Sequence, residues 1–587
     1  MKFAIGVFAF IALISVIHYA HAEPLLVVVE LPHRDDIQQW IDMGHPTYEF
    51  LNNHAVAEVE NELIPDIRSR GFRVAVIDQF PWTEEYFIAS DIDRITESVP
   101  GRRVWDHENI SILKIARDDV PELYRLDHLF QPMRKRVLPA RFWEQYLVRK
   151  VSLRSLEWDP FIQGLVDDVS TDSITAYIQR LEDFRTRLVL SDSGFASSEW
   201  LRQKFNDWGY ATRFDSFYID SSMAAWGVWP GVGFERNIIA TSTGTMNPDQ
   251  LFLIGGHLDA IVWWDTALAR VNAPGADDNA TGTVAALEAA RVFKDYSWES
   301  TMEFIGWAAE EIGLYGSYFY ADRADSMGLD IGGVINGDMI GYMDDANLDC
   351  IIQRKDAPML WLSELFESVG DVYVPSLLIY PVTSGGGSDW YPFAVNGFAA
   401  VGAAERSGSH YNPHYHDTSD VLTTLTPELY TAITRVSVAT LAVLGLYPSM
   451  VQDVVVLDAG NGTQLRIQWT TNPETDIAGY RVYWGLESEV YTDTHFVTGA
   501  GSFYYNMTGL MTDSTYYVTV RAVDTDDHES YVAVEKTGIP RTIPLAPTGV
   551  IATPLSSGIR IDWLPNGEID LAGYRLYRRL DDNPTYD

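Results

Sequence analysis

The run Leu251-Phe252-Leu253-Ile254-Gly255-Gly256-His257-Leu258-Asp259 decides how the middle of the chain folds. Leu251 to Gly255 has no polar face, so it reads as a strand buried on both sides. It breaks at Gly256 and delivers His257 and Asp259 to the strand's carboxyl end. The same syntax continues downstream. A helix over Thr281 to Phe293 is followed by a strand over Met302 to Trp307, which ends near Glu310-Glu311. A helix around Leu314 to Arg323 precedes a strand over Gly333 to Asn336, which ends near Asp338. Phe398 to Val401 is a further strand, and Pro427 to Leu446 is a closing helix. Upstream, Ile174 to Val189 and Ala196 to Trp208 read as amphipathic helices. Strands alternating with helices predict an α/β fold over 141–450, with a mostly parallel central sheet covered by helices on both faces.

In open α/β sheets, ligands bind beyond the carboxyl ends of the strands. Polar residues gather at those ends here. Besides His257 and Asp259 there is Asp278, in Asp277-Asp278-Asn279-Ala280-Thr281-Gly282 at a helix start. Glu310 and Glu311 are adjacent carboxylates that repel unless a divalent cation turns one of them into a ligand. Asp338 ends the next strand, and His416 lies in Tyr415-His416-Asp417-Thr418-Ser419-Asp420. The chain has a single cysteine, Cys350, so neither an intramolecular disulfide nor a thiolate-rich zinc site can form. Cys350 itself reads as a small buried hydrophobe. His257, Asp278, one of Glu310 and Glu311, Asp338 and His416 supply imidazole and hard oxygen, which suits zinc. One bridging carboxylate lets such a set hold two ions. A metal-bound His usually passes its second ring N–H to a carboxylate, and the two-residue step gives Asp259 that place beside His257.

The ordered segments resemble the two-zinc exopeptidases of metallopeptidase family twenty-eight, clan MH. Secreted bacterial leucyl aminopeptidases and the ectodomain of glutamate carboxypeptidase belong to it. The resemblance covers about 158–448. It rests on Gly256-His257-Leu258-Asp259, on Pro274-Gly275-Ala276-Asp277-Asp278-Asn279-Ala280-Thr281-Gly282 and on Ala308-Ala309-Glu310-Glu311-Ile312-Gly313-Leu314-Tyr315-Gly316-Ser317. Asn336-Gly337-Asp338-Met339, Ser388-Asp389 with Pro392-Phe393, and Tyr415-His416 with Asp420 complete it. It implies a zinc-exopeptidase fold, two zinc ions per chain and peptide or protein substrates. His257 and Asp338 would bind one ion, Glu311 and His416 the other, with Asp278 bridging. Glu310 would be the general base, Asp259 would orient His257, and Tyr415 would donate to the oxyanion.

Within the motifs, Asp277 competes with Asp278 for the bridge, and His410 and His414 compete with His416. The family spacing favours Asp278 and His416. Trp390 departs from the family, where His commonly follows Ser-Asp. In relatives the peptide after the bridging Asp is commonly cis, here Asp278-Asn279. Trp263, Trp264 and Trp390 either line a pocket for an apolar terminal residue or serve packing. The rival readings are a one-zinc, glutaminyl cyclase-like transamidase and a non-catalytic adhesion or binding protein.

The rest of the chain frames this domain. Its 587 residues correspond to about four domains. A net charge of −40, from 82 acidic and 42 basic residues, excludes a phosphate-backbone groove and so nucleic acid as a partner. Lys2, the apolar run Phe3 to Ile17 and Ala20-His21-Ala22 form an expected signal peptide over 1–22, which predicts a secreted protein, extracellular or periplasmic. No later apolar run reaches about 18 residues, so no transmembrane segment is expected once the signal is removed. Residues 23–140 read as an α+β region of two βαββαβ-type modules, either a propeptide or a permanent packing domain. The second module is expected to hold a helix over Val120 to Leu129 and a strand over Arg134 to Leu138. At the C-terminus, Ile467-Gln468-Trp469 and Asp476-Ile477-Ala478-Gly479-Tyr480-Arg481-Val482-Tyr483 recur as Ile561-Asp562-Trp563 and Asp570-Leu571-Ala572-Gly573-Tyr574-Arg575-Leu576-Tyr577. The repeat resembles all-β fibronectin type III sandwiches, with a complete module over 451–541 and a truncated one over 545–587. Leu510 and Tyr516 fit that fold's tyrosine corner. Such modules suggest spacers, or contact with a cell surface or polysaccharide.

Overall fold

The computed structural model describes residues 24–90, 99–107, 110–120, 123, 130–148, 150–152, 156–220, 230–263, 265–344, 346–355, 360–384, 386–406, 412–567 and 571–577. The expected signal segment and most of the expected helix Val120 to Leu129 lie outside these residues. The chain divides into two compact units, 1–148 with 154–446, and 149–153 with 447–587.

The α/β region of the first unit is built on eight strands: β1 Ala211–Ile219, β2 Gly233–Ser242, β3 Asn247–His257, β4 Ser300–Trp307, β5 Asp330–Gly337, β6 Asp349–Arg354, β7 Leu378–Thr383 and β8 Ala400–Glu405. Its helices include α1 Thr171–Glu182, α2 Asp192–Asp207, α3 Gly282–Phe293, α4 Tyr315–Met327, α5 Leu360–Tyr373, α6 Trp390–Val395 and α7 Pro427–Leu446. The strand order is β1-β2-β4-β3-β5-β8-β6-β7. The central pairs β4/β3, β3/β5 and β5/β8 are parallel, as is β6/β7. Pairs β1/β2, β2/β4 and β8/β6 are antiparallel, so the sheet is mixed, with its parallel ladders at the centre. There the strand centres are largely apolar because helices cover both faces. β4 is buried along its full length.

Register then places the chemistry. His257 pairs with Trp307, Gly255 with Asn336 and Gly337 with Ala403, so β3, β4, β5 and β8 end at one edge. α3 is buried almost all round, between the sheet and α7. Its close approach requires glycine: a Cβ on Gly282 would lie 1.9 Å from the carbonyl oxygen of Gly337. α1 ends at Glu182, short of the expected Val189, because Arg185 takes a left-handed φ of 65° and the chain turns inward to bury Arg187. Among the described residues α7 alone is long and apolar enough to cross a membrane, and 89% of its apolar window is buried inside the protein. Cys350 is buried in β6, and burial pushes its thiol far up, which fits an inert packing residue.

The N-terminal region holds two four-stranded antiparallel sheets of one topology. Strands Leu25–Glu30, Thr47–Leu51, His54–Val59 and Val74–Asp78 lie in the order second-third-first-fourth. Strands Glu85–Ser90, Arg102–His107, Ile110–Ile115 and Phe130–Pro132 repeat that order. The first module has the full βαββαβ succession, with helices at Arg34–Met43 and Ile64–Ser69. The expected strand over Arg134 to Leu138 is not formed. The fourth strand lies earlier, at Phe130–Pro132, and Arg134 and Arg136 instead reach partners on the α/β region.

The two parts of this unit share one core. Val29, Trp40, Phe50 and Phe142 pack with Trp307, Tyr318, Trp390 and Phe393. Glu49 and Lys355, at 4% and 2% side-chain exposure, pair at 2.6 Å, and the Tyr391 hydroxyl donates to the same carboxylate.

In the second unit, strands Gln452–Asp458, Gln464–Thr470 and Tyr504–Thr508 face a second sheet. That sheet comprises Ile477–Gly485, Asp493–Thr498, Tyr516–Asp524 and Lys536–Gly538. Trp469, Tyr480 and Val520 fill the space between them. The Tyr516 hydroxyl accepts from Met511 N at 3.0 Å, closing the expected corner. Residues Thr548–Leu555 and Gly558–Leu564 form a hairpin on which Val550, Ile551, Ile559 and Leu564 are exposed.

Glu49→Met removes the only carboxylate within ion-pairing distance of Lys355 among the described residues and leaves an ammonium buried. Urea unfolding followed by tryptophan fluorescence should show a loss of about 3–5 kcal/mol. An unchanged midpoint would mean that the pair is solvated and holds nothing.

Candidate metal centre

His257 is the last residue of β3, so its ring leaves the sheet at the carboxyl edge. Asp338 directly follows β5, and Glu310 and Glu311 lie just beyond β4. Asp278 sits in a wide helical turn over Ala276–Thr281 that leads into α3, and the Asp278–Asn279 peptide is cis. Asn279 ties this turn to β5: its Nδ2 donates to Gly337 O at 2.8 Å, and its Oδ1 accepts from Gly282 N at 2.7 Å. His416 enters from the loop between β8 and α7.

These side chains converge on Asp278. His257 Nε2 lies 3.1 Å from Asp278 Oδ1 and 3.5 Å from Asp338 Oδ1. His416 Nε2 lies 2.8 Å from Asp278 Oδ2 and 2.8 Å from Glu311 Oε2. The result is two triads, His257–Asp278–Asp338 and Asp278–Glu311–His416, each with its ligand atoms within 4.8 Å of one another. Glu310 belongs to neither triad, and its Oε2 stands 3.9 Å from His257 Nε2.

The donor set fits divalent cations. His416 Nε2, Asp278 Oδ2 and Glu311 Oε1 are buried without a hydrogen-bond partner, although nitrogen and oxygen lie close together. Buried polar atoms are otherwise almost always paired, so lone pairs converging in this way suit an ion. Imidazole with carboxylate in groups of three matches zinc ligation. The electrostatics point the same way. Burial opposes charging of His416, but Glu311 and Asp278 outweigh it and raise its pKa to about 9. Burial and the Asp278 charge push Glu311 up to about 7. Despite burial, His416 and His257 hold Asp278 below the usual carboxylate range. Burial lifts Glu310 well above that range, with Asp338, Asp389 and Glu311 adding to the effect and His257 opposing it.

Residues 237–441 match Peptidase family M28, and residues 449–535 match the Fibronectin type III domain. The chain contains an M28 peptidase domain. A probable zinc metalloprotease of Pyrenophora teres f. teres (strain 0-1) is 24% identical over 420 residues, 63% of this chain and 86% of that protein. Leucine aminopeptidase 1 of Metarhizium robertsii is 28% identical over 271 residues, 44% of this chain and 66% of that protein. Among solved structures, the LapA aminopeptidase of Legionella pneumophila is similar at 20% identity and a TM-score of 0.47, covering 62% of this chain and 98% of that one.

Other residues of the M28 domain take places around the triads. Asp277 points away from the triads, accepting from Gly341 N at 2.9 Å and from Asn412 Nδ2 at 2.6 Å. His414 faces outward with Nδ1 2.8 Å from Ser419 Oγ, and His410 lies outside the described residues. Asp420 accepts from the backbone N–H groups of Asp277 and Asp278 at 2.9 and 3.0 Å. Asp259 stands beside His257: its backbone carbonyl, 3.0 Å from His257 Nδ1, steadies the ring, and its carboxylate lies 3.7 Å from the same nitrogen. That carboxylate accepts from Glu310 N and Glu311 N, both at 3.2 Å, so Asp259 aims the two glutamates. Tyr415 stacks on the His416 ring, with centroids 3.7 Å apart, and Trp263 meets the same ring edge-on at 4.1 Å. Trp390 is fully buried in the shared core, whereas Trp264 lies outside the described residues. Ser388 donates to Asp338 and accepts from Asn336 Nδ2 at 2.8 Å.

Sequence reasoning missed Arg187. Its fully buried guanidinium donates to the carbonyls of Leu258 at 2.7 Å, Pro274 at 2.5 Å and Gly275 at 2.7 Å. Burial lowers its pKa to about 10, but the charges of Asp420, Asp278, Asp259 and Glu311 keep it a cation. A lone Arg has no spacing signature, so nothing in the sequence marks it.

Metal-free protein should hold protons where ions bind. His416 rises from 6.5 to about 9 and Glu311 from 4.5 to about 7 on folding. Both raised values mean that the folded state binds more protons than the unfolded state. Metal-free stability should therefore fall as pH rises from 5 to 9, and zinc uptake at pH 7 should release protons. Calorimetry in buffers of different ionisation enthalpy, with melting curves across that range, checks both. Proton-neutral uptake would contradict the assignment of His416 as a ligand.

Proposed function

We propose that the M28 domain is a zinc-dependent exopeptidase, an aminopeptidase, that uses two zinc ions with Glu310 as general base and acts outside the cytoplasm. The observation that carries this reading is the placement of Asp278 between two imidazoles, with Glu310 3.9 Å from His257 and part of neither triad. Two triads sharing one carboxylate favour two ions over the single ion of a cyclase-like transamidase. Family membership and relatives named zinc metalloprotease and leucine aminopeptidase support peptide substrates and a terminal amino acid as the cleaved unit.

Bound zinc supplies Lewis acidity that polarises a peptide carbonyl and acidifies water. The remaining work belongs to the chain. Asp259 holds the backbone of Glu310 and Glu311 so that one carboxylate turns to His416 and the other stays beside His257. Glu310 Oε2, in a buried and acidic setting that raises its proton affinity, takes the proton of the attacking water and returns it to the departing amine. Ser388 and Asn336 fix the carboxylate of Asp338. Trp263 and Tyr415 form an aromatic wall beside His416, which favours an apolar terminal residue. Lys2, the apolar run after it and Ala20-His21-Ala22 support export. The fibronectin type III domain serves as a spacer or surface contact.

Glu310→Gln should keep both metals and lower kcat on a leucyl reporter amide by at least about 10²-fold, because an amide cannot accept the proton. Glu311→Gln should instead weaken one metal. Near-full kcat in Glu310→Gln would place the base elsewhere. Elemental analysis should find two zinc ions per chain in the wild type, and a single ion would revive the transamidase reading.

A further inference from the structure

The loop that carries Glu310 and Glu311 is not self-supporting. Ala309 and Leu314 flank the glutamates with φ of 61° and 58°, left-handed values that favour glycine, and Gly313 has φ 120°. Such backbone persists only where its surroundings over-determine it. Within the α/β region the loop is held by Asp259, by Asn237, which accepts from Ala308 N at 3.0 Å and donates to Gly316 O at 2.9 Å, by the packing of Ala309 and Ile312 with Val189 and Phe217, and by its own turn, in which the Glu310 carbonyl accepts from Gly313 N at 2.7 Å and Leu314 N at 2.8 Å.

A further clamp comes from the N-terminal region. The Arg134 guanidinium donates to the Gly313 carbonyl and lies 3.9 Å from the centroid of the Tyr318 ring. It also faces the ring of Tyr315, the first residue of α4, at 5.7 Å. The backbone beneath Arg134 is fixed on the same surface. Arg136 bonds Asn396 Oδ1 at 2.6 Å and pairs with Asp322 at 2.8 Å. Arg141 donates to Leu329 O at 3.2 Å. Gly397, at φ 81°, approaches so closely that a Cβ would lie 2.6 Å from Phe142 N. The shared core and the buried Glu49–Lys355 pair complete this docking surface.

We propose that Arg134 is a positioning residue for the Glu310–Glu311 loop, and that the N-terminal region is a retained part of the working peptidase. Arg134 contacts Gly313, Tyr315 and Tyr318, none of them a proposed metal ligand. It acts through the Gly313 carbonyl, which lies two residues beyond Glu311 on the same tight turn. Releasing the region would remove the clamp and uncover Tyr318, Trp390 and Phe393.

The inference rests on the zinc-peptidase reading and is tested in the full-length chain. Arg134→Met keeps the aliphatic stem and loses the fork. It should lower kcat on the leucyl reporter by at least about tenfold with KM changed less than about twofold, since misplacing a catalytic group affects the chemical step. Zinc titration should show one of two ions bound at least about tenfold more weakly. Arg134→Lys, which keeps the charge but not the planar fork, should be intermediate, and it serves as the test if Arg134→Met does not fold. A folded variant with wild-type kcat and wild-type zinc affinity would overturn the inference. Failure of the underlying reading would appear in the wild type itself, as no zinc uptake and no reporter cleavage. Intact mass of the active protein should include residues 24–148, and full kcat in protein that has lost them would also overturn the proposal.

Discussion

A buried carboxylate held between two imidazoles organises this protein. Both oxygens of Asp278 face a histidine, at 3.1 and 2.8 Å, and around them stand Asp259, Glu310, Glu311, Asp338 and Asp420. So dense a group of acids in a low-dielectric interior is unfavourable without opposing charge. His257, His416 and the Arg187 guanidinium answer part of that charge, and the proposed ions answer the rest. The neighbouring structure is arranged to keep Asp278 in place. Its backbone N–H is bound by Asp420, its turn is tied to β5 through Asn279, and α3 is pressed so close to Gly337 that only glycine fits at position 282.

The acids that do not face the centre hold backbone instead. Asp259 binds the N–H groups of both glutamates, Asp420 those of Asp277 and Asp278, and Asp277 that of Gly341. In the Asp277–Asp278 pair, Asp278 turns to the centre while Asp277 anchors a neighbouring loop, whereas Glu310 and Glu311 both face the centre. Arg187 holds backbone with positive charge, binding the loops that lead to His257 and to Asp278 at once.

The N-terminal modules belong to the same energetic unit. α4 and α6 share their apolar core with Val29, Trp40 and Phe50, so one face of the sheet is completed by residues that precede it in the chain. Position alone suggested a removable segment or a packing domain with equal force. The shared core, the buried ion pair and the Arg134 contact favour the packing domain, because each would leave apolar or charged groups uncovered on separation.

Local pattern was enough to mark the strand ends, the helix after Thr281, the long helix over 427–446 and the fibronectin type III domain that follows it. Apolar periodicity and motif spacing are properties of contiguous residues. The spacing of the family that the chain resembles pointed to Asp278 over Asp277 and to His416 over His414, and Asp278 and His416 lie in the triads. Other features depended on contacts across long stretches of chain. These include the antiparallel outer strands, the use of the Asp259 carboxylate for backbone, and the burial of Trp390, whose pocket role was left open from sequence. The missing strand over Arg134 to Leu138 belongs with them, since residues there engage the peptidase surface and leave no ladder to join. Arg187 and Arg134 were invisible for the same reason. Their partners are carbonyls 71 and 179 residues away, and a carbonyl carries no residue identity for a sequence to display.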